Sequence, residues 1–87
     1  MDRAFMMAYE DLIAGSTLLS RTYKADALEL FEDFEDHVLQ SEHINHVQTS
    51  VLLDDMVYVR SLLSETEMIK ALRVLERIRD NMLGLVD

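Results

Sequence analysis

The sequence predicts an all-α fold, a small three- or four-helix bundle with antiparallel neighbours. Three observations predict it. The chain has no proline and only two glycines, Gly15 and Gly84, so little in it interrupts a helix. Its apolar residues recur three and four positions apart instead of alternating. The polar stretches between these periodic segments are short, which favours antiparallel packing of neighbours. With 87 residues and no cysteine, one core spanning 1–87 is the expectation, and disulfides and thiolate metal sites are excluded. A chain of this size buries only about 60–65% of its unfolded surface, leaving packed helices or self-association to stabilise it. The reading includes no linker, low-complexity tract or internal repeat.

The first helix is placed from Asp2 to Leu19. Phe5, Ala8, Tyr9, Leu12, Ser16 and Leu19 fall on one stripe. Met7, Ala14 and Leu18 lie opposite, either exposed or covered by a partner, and Gly15-Ser16-Thr17 is a place where the helix could kink or stop. The second helix opens at Asp26, whose spacing to Glu29 is that of a capping box. Ala27, Leu30, Phe31, Phe34 and Val38 form its apolar face, and Glu29, Glu32, Asp33 and Asp36 form an acidic face opposite.

The third helix is read from Glu42 to Leu63, apolar over most of its circumference, with a strand as the alternative because of its β-branched residues. Ile44, Val47, Val51, Tyr58 and Leu62 share its leading face; Leu52, Met56, Val59 and Leu63 flank it. Ser64 and Glu67 match an S-x-x-E box opening the last helix. Met68, Ala71, Leu72, Leu75, Ile78 and Met82 carry its stripe, Lys70, Arg73 and Arg77 lie behind, and Gly84 is expected to close it in a left-handed conformation.

Seventeen acidic residues oppose eight basic ones, for a net charge of −9. The imbalance is local: residues 25–59 contain nine acids and no lysine or arginine. Such a surface repels phosphate backbones, which argues against direct binding of nucleic acid. No apolar run reaches the ~20 residues of a membrane span, no signal peptide is read at the start, and a cytoplasmic location is expected.

Chemistry finds little footing. His43 and His46 are three apart with Glu42 beside them, and Asp36 and His37 lie earlier, but a zinc site needs three or four converging ligands. The acids of the second helix point away from the core, where nothing separates their pKa values for acid–base work. No nucleophile elbow or phosphate loop is present. The chain is therefore read as non-enzymatic, with no cofactor, metal or catalytic residue assigned. Asp55 falls in the apolar stripe of the third helix and is expected to form an ion pair with an arginine such as Arg60 or Arg79, or to bond to a tyrosine hydroxyl.

The acidic stripe of Glu29, Glu32, Asp33 and Asp36 is the candidate partner-binding site. Its plain alternative is a solvated helix face, yet such a face usually interleaves lysines with its glutamates. Carboxylates one turn apart also approach the spacing of backbone phosphates, so a basic protein surface that grips nucleic acid could grip these instead. In size, acidity, helical content and lack of cysteine the chain is similar in type to small regulators and inhibitors of bacteria and phages. The expectation is a small acidic regulator or inhibitor that binds a protein with a basic surface, with Phe5, Met7 or Leu18 adding apolar contact. The alternative is a structural homodimer or subunit of a helical assembly, because the acids of the second helix and the bases of the fourth cannot readily meet within one bundle. A metal-binding role for His43 and His46 ranks third.

Overall fold

Four helices follow one another, α1 (Arg3–Ser20), α2 (Lys24–Gln40), α3 (His46–Ser64) and α4 (Met68–Leu83). The structure, a computed structural model, describes residues 2–86. α1 packs most extensively on α2 and α3 on α4, while α1 with α4 and α2 with α3 close the ring. The diagonal pairs, α1 with α3 and α2 with α4, make no backbone approach. Connections of three to five residues force each helix to run against the one before it.

The apolar stripes meet in one core containing Phe5, Leu12, Phe31, Phe34, Leu52, Met56, Leu75 and Ile78. α3 is rotated from the expected orientation. Its buried residues are Leu52, Met56, Val59, Leu62 and Leu63, whereas Val47, Val51 and Tyr58 are exposed. The residues read as flanking are the core face, because α3 must satisfy both α2 and α4 while periodicity alone weighted one broad stripe.

Helix starts also differ from expectation. α2 begins at Lys24 with no side-chain cap, so Asp26 lies inside its first turn, where it favours the positive end of the helix dipole. Residues 41–45 form a loop, and Asn45 with Gln48 makes the capping box that opens α3. Ser64 ends α3, its hydroxyl donating to the Ser61 carbonyl, and Glu67 precedes α4 without capping it. α1 runs through Gly15-Ser16-Thr17 unbroken to Ser20. Gly84 adopts a right-handed conformation at φ −67°; the left-handed residues are instead Thr22 and Thr66, at φ 68° and 60°.

Those two threonines mark an internal repeat that the sequence reading missed. Leu18-Leu19-Ser20-Arg21-Thr22 turns α1 into α2, and Leu62-Leu63-Ser64-Glu65-Thr66 turns α3 into α4. The hydrogen bonds match one for one. Tyr23 N–H reaches Leu18 O and Thr22 N–H reaches Leu19 O, as Glu67 N–H reaches Leu62 O and Thr66 N–H reaches Leu63 O. This is the Schellman arrangement, with threonine where glycine usually stands. Burial repeats at the same offset: Ala8 with Leu52, Leu12 with Met56, Leu19 with Leu63, Ala27 with Ala71, Phe34 with Ile78, and Val38 with Met82. The bundle is thus two helical hairpins whose turns and buried positions correspond at one fixed offset.

At one pair of corresponding positions the hairpins exchange volume. A Cβ on Gly15 would lie 2.5 Å from the Phe31 ring, so the large ring is admitted by the absent side chain. The second hairpin places Val59 and Leu75 there, both buried. Small with large and medium with medium fill a similar space.

The α2–α3 loop is tied to the start of α1 by Asp2. Its carboxylate accepts from Phe5 N–H at 2.8 Å, Glu42 N–H at 2.7 Å, His43 N–H at 3.2 Å and the Ser41 hydroxyl at 3.0 Å. The Phe5 N–H does most to hold the Asp2 pKa below its ordinary 3.8, against partial desolvation, with Glu42, Ser41 and His43 adding to it. At the other end of the bundle, Lys24 Nζ donates to the Leu63 carbonyl at 2.9 Å, meeting the negative end of α3.

Three outcomes are expected. Gly15→Ala should destabilise by about 1–3 kcal/mol in urea denaturation, despite an intrinsic helical gain of about 1 kcal/mol, with Phe31→Leu relieving part of the loss. Thr22→Gly and Thr66→Gly should each stabilise by about 0.5–1 kcal/mol by removing a left-handed β-branched residue. Asp2→Ala should lower the melting temperature at neutral pH. The wild-type advantage is present above the ordinary carboxylate pKa and is lost as pH falls through the lowered one, so thermal melts of the two proteins should converge below about pH 4.

Candidate acidic docking face

α2 buries Ala27, Phe31, Phe34 and Val38, and this stripe dictates what lies behind it. Glu29, Glu32, Asp33 and Asp36 are all exposed, as expected, and none takes part in an ion pair among the described residues. Leu30 lies at the margin of the apolar face, half-buried. The carboxylates stand on consecutive turns of a 17-residue helix, a rigid support for their spacing.

The edges of this face are less bare than the sequence implied. Arg60, just beyond the acidic segment, reaches back from α3 to Glu35 on α2. The hydrogen bond that Arg60 donates to Glu35 raises the Arg60 pKa against desolvation, helped by the charges of Glu35 and Glu32. Repulsion along the α3 side of α2 is therefore partly relieved. On the α1 side, His37 Nδ1 meets Asp11 Oδ2 at 2.6 Å. Both contacts join residues more than twenty positions apart, so local spacing carried no sign of them.

The histidines do not converge. His43 lies in the loop, its Nε2 donating to the Leu85 carbonyl at 2.6 Å and its ring set edge-on to Phe5 with centroids 5.1 Å apart. His46 is the first residue of α3 and is exposed. Among the described residues no three of His, Asp and Glu are grouped to hold a metal ion. Asp55 makes the expected ion pair with an arginine, but its partner is Arg77, at 2.9 Å, in place of Arg60 or Arg79. Arg77 stands two positions before Arg79 and so on the other side of α4, the side turned toward α3.

Of the apolar residues proposed to supplement the acids, Phe5 is fully buried and unavailable, while Met7 and Leu18 are half-buried, Leu18 packing against the core. A shallow cleft of about 350 Å³ between α1 and α4 is lined by Ser16, Thr17, Ser20, Glu76 and Arg79 with apolar neighbours. Its three hydroxyls donate to the carbonyls of Leu12, Ile13 and Thr17 in their own helix. No helix of the described residues is long and apolar enough to cross a membrane.

No family model, curated protein or solved structure matches the chain.

Proposed function

We propose that this chain is a non-catalytic regulator that docks the acidic face of α2 onto a basic surface of another protein. The observation that carries this reading is the exposure of Glu29, Glu32, Asp33 and Asp36 on one rigid helix, none of them in an ion pair among the described residues, although Arg60 lies near Glu32. Carboxylates fixed in this way attract a lysine- or arginine-rich surface at long range and lose little freedom on contact. A protein that binds nucleic acid presents such a surface, and masking it would inhibit that protein. The non-catalytic reading draws support from the hydroxyls of the α1–α4 cleft, which bond to their own helix and have no histidine beside them.

A second reading, a subunit of a helical assembly, is favoured by α3, where Val47, Val51 and Tyr58 stand exposed on one side.

Affinity capture from the native host followed by titration of the purified partner tests the first reading. The affinity should fall about tenfold or more with Glu32→Lys plus Asp33→Lys, and should weaken steeply as salt rises through the physiological range. Nucleic acid should compete with the chain for the partner. An affinity indifferent to both salt and charge reversal removes the acidic face from the account.

A further inference from the structure

The two hairpins repeat each other's burial, and one row of outward charges changes sign between them, although Glu32 and Asp36 correspond to Glu76 and Asp80, acids in both. Asp26, Glu29 and Asp33 on α2 correspond to Lys70, Arg73 and Arg77 on α4. All six are exposed. Each row follows the same spacing of three and then four residues, so each lies along one side of its helix. Contacts across each hairpin show which side. Arg77 bonds to Asp55 on α3, and His37, one turn beyond Asp33, bonds to Asp11 on α1. Both rows therefore border the outer face of their own hairpin.

Each row has an apolar neighbour on the companion helix. Half-buried Met7 and Leu18 on α1 lie beside the acids; Val47, Val51 and Tyr58, between 46% and 73% exposed, lie on α3 beside the bases. Since α2 and α4 occupy diagonal corners, the rows look away from each other on opposite sides of the bundle. No single chain can bring them together, and a two-fold pair of chains cannot use both at once.

From this complementarity we infer that a second copy of this chain docks on the first, the acidic outer face of one α1–α2 hairpin against the basic outer face of the other's α3–α4 hairpin. The inference rests on the reading of α2 as a docking surface and names an occupant for it. With the helices antiparallel, Glu29 meets Arg73 and Asp33 meets Lys70 while the apolar strips close beside them. The contact is heterologous, leaving one free face of each sign at the two ends, so association propagates head to tail. The same contact covers the acidic face offered to a basic partner, and the two compete.

Sedimentation velocity decides. The wild-type chain should sediment faster as its concentration rises at about 0.01 M salt, where charges act over ~30 Å, and as a monomer at about 1 M, where they act over ~3 Å. Glu29→Arg with Asp33→Arg should be monomeric at low salt, as should Lys70→Glu with Arg73→Glu; both pairs are exposed, and circular dichroism should show wild-type helicity. An equimolar mixture of these two variants should associate again, since each then meets a complementary row. A wild-type monomer at low salt, a mixture that stays monomeric, or association that survives both reversals overturns the inference. If the wild type is monomeric while charge reversal on α2 still abolishes binding to a basic partner, the homotypic contact fails and the proposed function stands. If neither is affected, both fail.

Discussion

A threonine held at positive φ sits at the hinge of each hairpin, and the placement of every charged surface depends on it. Thr22 and Thr66 stop a helix within one residue and send the next back along it. A β-branched residue resists this conformation by about 1–2 kcal/mol, so it persists because the surrounding packing over-determines it. The Leu-Leu pair before each threonine supplies that packing: Leu19 and Leu63 are buried in the core, as is Leu62. Two such turns, with the loop that Asp2 holds between them, place α2 and α4 on opposite corners.

Opposite corners explain the electrostatics. A chain with a net charge of −9 could have neutralised its acidic helix with the arginines of its last one. It does not, because no neighbouring contact joins those helices. Arg60 from α3 reaches Glu35 and lies near Glu32, and the acids farther round α2 remain in solvent. The charge segregation is thus a consequence of topology acting on two hairpins with similar cores and dissimilar surfaces. Exposed charges separated by the width of a bundle interact weakly in salt, so this segregation costs the folded chain little while leaving the acids of α2, and Lys70 and Arg73 on α4, open to other molecules.

Buried positions in the repeat keep their chemical character more closely than exposed ones. Leu12 and Met56, or Phe34 and Ile78, are exchanges between apolar residues of similar bulk, and Gly15 opposite Phe31 balances a change of volume in one hairpin. Core packing tolerates such swaps when total volume is kept. Outside the core nothing resists a change of sign, and Glu29 and Arg73 occupy equivalent sites. A matched core and one row of reversed sign together make the two outer faces complementary, while Glu32 with Glu76 and Asp36 with Asp80 stay acidic in both.

By itself the sequence determined the fold class, the single core and the orientation of α2, because the period of apolar residues directly encodes which side of a helix avoids water. It also located Glu29, Glu32, Asp33 and Asp36 in solvent. What it could not determine were features set by neighbours. The rotation of α3 is a compromise between two adjacent helices, the pairing of Asp55 with Arg77 depends on the register of α4, and the Arg60 contact relieving one edge of the acidic face spans elements. Helix ends were misread where a capping pattern occurred without its geometry, at Asp26 and Ser64, and where a left-handed turn used threonine in place of glycine. The repeat was legible in Leu-Leu-Ser-x-Thr, yet its meaning was not. The opposition of the acids of α2 to the bases of α4 was already legible, but only the packed tertiary structure decides which residues become equivalent in space and that the two rows lie on opposite outer faces.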